Sequence, residues 1–228
     1  PEADSTRPGS ASAAAAKEAL ASVPHEPGAK KPDPIVVADH VTRSFGGLTA
    51  VDVEHVEIQR GVITALIGPN GAGKTTFFNL LTGFDRPDSG EWSFNGRSLA
   101  GVPAFRVARL GMVRTFQLTK SLTRLSVIEN MKLGARDQRG ESFLRAFLPF
   151  IWRQQEEDIE DRAEALLERF QLSRMRDEYA GTLSGGQRKL LEMARALMAN
   201  PELVMLDEPM AGVNPALTES LLHHITAL

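Results

Sequence analysis

The sequence has 228 residues, 42% apolar and 24% charged, with a net charge of −3 from 26 basic and 29 acidic side chains and no cysteine. Those totals suit one large globular domain or two modest ones. They lack the basic excess that nucleic-acid binding draws on, and they exclude both a disulfide framework and a thiolate metal site.

The first stretch, residues 1–34, is rich in Ala, Pro, Ser and Gly. It cannot bury enough apolar surface to offset its ordering entropy, so it is expected to be a disordered tail. It also lacks the compact apolar core of a secretory signal. Order is expected to begin with a strand at "PIVVADHV", followed by a half-buried strand at 52–59, "DVEHVEIQ". The near-continuous apolar run "GVITALIG", 61–68, predicts a strand buried on both faces, as in a parallel sheet. "KTTFFNLLTGF" then predicts a helix with Gly83 at its C-terminal end.

Residues 103–182 read as mostly helical. In "IEDRAEALLERF" the residues Ile159, Ala163, Leu166, Leu167 and Phe170 fall on one face of a helix. The longest apolar patch, Phe143 to Trp152, contains Arg145 and Pro149 and is too short to span a bilayer. It is expected to pack on its own subdomain rather than to dock elsewhere. A helix beginning at "LSGGQ" and a buried strand at 202–209, "ELVMLDEP", close the pattern. The whole predicts an α/β nucleotide-binding core interrupted by a helical insert.

Three stretches carry chemistry. "GPNGAGKT", Gly68–Thr75, matches G-x-x-x-x-G-K-[ST] between an expected strand and an expected helix. Gly68, Gly71 and Gly73 let the backbone turn its N–H groups toward phosphate. The following helix adds its positive end, Lys74 a cation, and Thr75 a hydroxyl for Mg²⁺. Pro69, Asn70, Ala72 and Thr76 complete the loop. In "LVMLDEP", Asp207 is placed to reach Mg²⁺ and Glu208 to polarise an attacking water, at the strand end where open α/β sheets hold ligands.

The third stretch, Leu183–Gln187, poses a question. Ser184 and Gln187 form a capping box, which accounts for a helix start. It does not account for Gly185 and Gly186, where alanine would serve the helix better by about 1 kcal/mol. Glycines there bare the N–H groups of a helix start to an anion. Because the first loop already cradles one triphosphate, this second tip is expected to face another nucleotide, held by a second molecule turned head to tail.

In order and spacing, Gly68–Thr75, Gln117, Leu183–Gln187 and Leu203–Pro209 resemble the ABC transporter ATPases, over residues 35–228. The resemblance implies a P-loop NTPase (RecA-like) α/β core with an antiparallel β subdomain and a helical subdomain inserted at about 118–182. It implies ATP and Mg²⁺ as ligands, and a second ATPase subunit, identical or not, as partner. Each ATP would lie between one subunit's phosphate loop and the other's signature helix. It further implies permease subunits, an indirect solute-binding protein, no nucleic acid, and a place on the cytoplasmic face of the membrane.

By the same resemblance Phe45 stacks on adenine, the alternative being core packing. Gln117 contacts Mg²⁺ or water and links core to insert, and residues 211–214, "AGVN", cross the dimer interface. The family's switch histidine follows one further strand; His223 and His224 lie on the helix expected before it and are not assigned that role. The chain therefore reads as C-terminally truncated, with nucleotide binding expected and hydrolysis left open. "LDEPMAGVNP" and the insert after "SVIENMKLGA" resemble in particular the importer ATPases for branched-chain amino acids. Importers of urea or other amides, and an ATP-gated clamp outside transport, are the alternatives.

Overall fold

The computed structural model describes residues 30–115, 122–136 and 149–209, without the side chains of 149–153. Gln117, the 211–214 loop, both C-terminal histidines, residues 1–29 and the side chains of the Phe143–Trp152 patch lie outside the described residues.

Two long strands, β1 (Pro34–Phe45) and β2 (Leu48–Gln59), form an antiparallel hairpin. Alternation puts Val36 and Ala38 of β1 in the core, and an irregularity at His40, φ 50°, shifts the phase so that Val41 is buried too, with Val51 of β2. Strand β3 (Ser89–Phe94) pairs with the other edge of β1, and the short β4 (Arg97–Ser98) follows across Asn95-Gly96, giving the order β2-β1-β3-β4. Asn95 and Gly96 both have positive φ, 51° and 71°, as the tight turn matching the strands' twist requires.

Helix α1 (Lys74–Leu81) packs Phe77, Leu80 and Leu81 on the core of this sheet, shared with Trp92, Phe94 and Met205. The chain leaves α1 through Thr82, whose N–H bonds back to Phe78, and Gly83 follows at φ 73°. Helix α2 (Ala104–Leu110) leads into β5 (Met112–Arg114), which pairs in parallel with β6 (Leu203–Met205).

The helical lobe has a core of its own. Helix α3 (Val127–Lys132) starts with a complete capping box between Ser126 and Glu129. Helix α4 (Pro149–Arg169) and a 3-10 turn (Ser173–Met175) lead to α5 (Gly185–Met198). Ile159, Ala163, Leu167 and Phe170 are buried on the face the spacing predicts, with Leu166 partly buried beside them. They meet Val127 and Met131 of α3 and Leu190, Leu191 and Ala194 of α5. Burying side chains of this size stabilises by roughly 1.5–3 kcal/mol each, so α5 is anchored in the helical lobe while α1 is anchored in the sheet lobe.

Two expectations are corrected. Residues 61–68 form no strand, and Val62, Ile63, Leu66 and Ile67 are 46–70% exposed. A strand buried on both faces needs hydrogen-bonded neighbours on both edges. Among the described residues the parallel sheet holds β5 and β6 only, and neither pairs with 61–68. The strand expected over 202–209 is limited to Leu203–Met205, because β5 offers only three partners.

Candidate functional site

The phosphate loop leaves the exposed 61–68 segment and closes on α1. Ala72 N–H donates to Pro69 O at 3.2 Å, and Phe77 N–H to Gly73 O at 2.8 Å, the first bond of the helix. Gly73 is the N-cap with φ 80°, and a Cβ built there would stand 1.8 Å from the carbonyl oxygen of Ala50 on β2. Both the left-handed backbone and this close approach demand glycine. Gly73→Ala is therefore expected to destabilise the chain by at least about 2 kcal/mol and to weaken ATP binding; thermal unfolding and a nucleotide titration check both.

Lys74 Nζ lies back over its own loop, donating to Gly68 O and Pro69 O, each at 2.8 Å. Gly68, Pro69, Asn70, Gly71, Ala72 and Thr75 are exposed, with Thr76 half-buried. The loop thus lies on an open side of the molecule.

Asp207 reaches this loop from the end of β6. Its side chain is 7% exposed; Thr75 Oγ1 donates to its Oδ1 at 3.4 Å, and Arg114 Nη2 to its Oδ2 at 2.6 Å. The loop and the carboxylate strand, 132 residues apart in sequence, meet here as their types predict. Glu208 is exposed and takes φ 46°, a region that costs a non-glycine residue about 1–2 kcal/mol. That turn separates the buried carboxylate of Asp207 from the exposed one of Glu208.

Phe45 ends β1 in register with Leu48 and is 48% exposed, with the Arg43 guanidinium 4.5 Å from its ring centroid. Core packing, the alternative reading of Phe45, is thereby excluded. The hairpin tip that carries it runs through Ala50 to the contact with Gly73.

At the other tip, Ser184 Oγ accepts from Gln187 N–H at 3.2 Å, and Gln187 Oε1 accepts from Ser184 N–H at 2.9 Å. Ser184 and Gly185 are exposed, while Gly186 and Gln187 are half-buried. Among the described residues a Cβ on Gly185 would meet nothing within 4 Å, so none of them sets a steric demand for glycine there.

Arg114 is the residue the sequence reading does not include. It donates to Asn79 Oδ1 at 2.5 Å as well as to Asp207, and its guanidinium lies 5.7 Å from the Phe78 ring centroid. Its sequence neighbours carry no signal of this role, which arises only where β5 pairs with β6 and brings it to Asp207.

The sequence profile of the ABC transporter family matches residues 51–211, well over half of the chain. The chain belongs to the ABC transporter ATP-binding family. A probable branched-chain amino acid transport ATP-binding protein, LivG, of Archaeoglobus fulgidus is 40% identical over 194 residues, 85% of this chain and 75% of the relative. The high-affinity branched-chain amino acid transport ATP-binding protein BraF of Pseudomonas aeruginosa is 38% identical over 189 residues, 82% of this chain and 74% of the relative. A crystal structure of the ADP conformation of an ABC transporter's ATP-binding cassette matches with a TM-score of 0.70 at 35% identity, over 85% of this chain and 76% of that one. The fold is the α/β ATP-binding cassette, and its ligand is a nucleotide. Among the described residues no helix is long and apolar enough to cross a membrane.

Proposed function

We propose that this chain is the ATP-binding and hydrolysing subunit of an importer for branched-chain amino acids, working in a pair on the cytoplasmic face of the membrane beneath permease subunits. The observation that carries the catalytic part is the meeting of Thr75, on the lysine-bearing loop, with Asp207 at the strand end. The solute is that of the branched-chain amino acid transport relatives, about 40% identical over most of this chain.

In this reading Gly68–Thr76 wrap the phosphates with backbone N–H groups, and Lys74 turns from its loop carbonyls to the terminal phosphate oxygens. Phe45 offers its exposed ring to the adenine. Thr75 and Asp207, with Gln117, would hold Mg²⁺. A hydroxyl and a carboxylate oxygen, with the other positions left to phosphate and water, fit the way that ion is bound. When bound it neutralises charge on the β- and γ-phosphate oxygens. Glu208 accepts the proton of the attacking water. Ser184–Gln187 cover the nucleotide held by the partner ATPase, identical or not, and the helical lobe transmits closure to the permease.

Lys74→Ala tests the binding half: ATP affinity is expected to fall by about tenfold or more, the loss of one well-placed cation. An unchanged titration would overturn the loop assignment. Neighbouring reading frames encoding permeases and a solute-binding protein are expected, and their absence would count against import.

A further inference from the structure

Asp207 already has a cation. Its Oδ2 is held by Arg114 at 2.6 Å, with the two side chains 7% and 4% exposed. Arg114 is itself fixed from two directions. β5 pairs it with Met205, so that it points along the same edge as the end of β6. From α1, Asn79 accepts its second Nη, and the Phe78 ring lies beneath the guanidinium. The remaining oxygen of Asp207 faces the Thr75 hydroxyl at 3.4 Å.

We propose that Arg114 is a resident counter-ion of Asp207, so that a divalent metal loads at Asp207 together with a triphosphate and not before it. This rests on the reading of Thr75 and Asp207 as the metal-holding pair. A buried carboxylate with no partner is an uncompensated charge, and a dication would relieve it. With Arg114 in place the pair is neutral, and one carboxylate oxygen is taken. A bare dication then meets only a hydroxyl and a neutralised aspartate, which gives it little reason to stay.

A triphosphate changes the balance by bringing several negative charges into the loop, against which the second positive charge becomes favourable. Arg114 thus acts as a positioning residue. It leaves one oxygen of Asp207 available, and it sets the order in which ligands arrive. Its guanidinium suits the task better than an ammonium, because its planar fork satisfies Asp207 and Asn79 at once.

Nucleotide-free protein is titrated with Mn²⁺, and free metal is read by electron paramagnetic resonance. Arg114→Gln keeps a donor for Asp207 but removes the charge; it is expected to bind Mn²⁺ at least about tenfold more tightly than the parent, as removing a like charge a few ångströms from a dication requires. Arg114→Lys, which keeps the charge, should stay within about threefold of the parent. Adding Asp207→Asn to Arg114→Gln should abolish the gain.

No gain in Arg114→Gln, an equal gain in Arg114→Lys, or a gain that survives Asp207→Asn would each overturn the proposal. The parent answers without any variant. Side-chain resonances of ¹⁵N-labelled Arg114 are expected to move when Mg²⁺ is added with a non-hydrolysable ATP analogue, and to stay in place with Mg²⁺ alone. Movement with Mg²⁺ alone would refute the counter-ion role. Failure of the parent to bind the analogue would instead refute the nucleotide-site reading, leaving the Mn²⁺ comparison intact.

Discussion

Glu208→Gln is expected to lower ATP turnover by about 10²- to 10⁴-fold, the range a general base contributes, while ATP affinity changes little. The substitution keeps the size of the side chain and removes its ability to take a proton from water. Its position separates this effect from damage to the fold. Glu208 is exposed, and the buried ion pair belongs to its neighbour Asp207. Glutamine bears the same backbone strain at φ 46° as glutamate does, so unfolding temperature should hold. Phosphate release and a nucleotide titration on the same preparation check the split. Turnover near the parent's would refute the assignment of Glu208 as the base. Loss of ATP binding would point to a structural role for the carboxylate.

What was legible in the sequence is what depends on local pattern. The apolar face of α4 is read correctly down to Phe170, because a 3.6-residue period is set by the helix itself. Both helix starts, Gly73 and Ser184, follow from residue type, since a left-handed glycine and a capping serine answer backbone demands of the first turn, to which the approach of Ala50 adds at Gly73. The β3–β4 hairpin carries its own signal in Asn95-Gly96 but is short enough to escape a periodicity search.

The reading of 61–68 failed for a different reason. Apolar β-branched composition reports that a segment is fit for a buried strand, but whether it becomes one depends on partners elsewhere in the chain. Arg114 escapes the sequence on similar grounds. Nothing within a few residues of it in "MVRTFQ" distinguishes a buried counter-ion from a solvated arginine. Its role exists only because β5 and β6 pair in parallel and bring it to Asp207, 93 residues away.

Gly185→Leu is expected to abolish ATP-driven dimerisation while leaving ATP binding by the single subunit unchanged. The prediction turns on a mismatch between what the helix wants and what the sequence supplies. Among the described residues a Cβ at Gly185 meets nothing within 4 Å, and the capping box that starts α5 is made by the side chains of Ser184 and Gln187. Leucine is the better helix former by about 0.5–1 kcal/mol, so the variant should unfold at the same temperature or slightly higher. Glycine here is worse for its own helix, and no neighbour among the described residues forbids a side chain, which is what a constraint from a second subunit predicts.

In the proposed ATPase pair that outside constraint is the approach of the second subunit's triphosphate to the bared N–H groups of α5, which a leucine side chain would hold off. Light scattering in the Glu208→Gln background, where the closed pair should persist with ATP, reads the effect. Gly185→Ala should show it in weaker form, because one methyl intrudes less than four carbons. A normal dimer in Gly185→Leu would show that the tip faces no nucleotide. Lost ATP binding by the single subunit would show that Gly185 serves its own loop. Because α5 is anchored in the helical lobe and the phosphate loop in the sheet lobe, blocking the tip of one should leave the other's grip on ATP intact, and it is this independence that the two readouts measure.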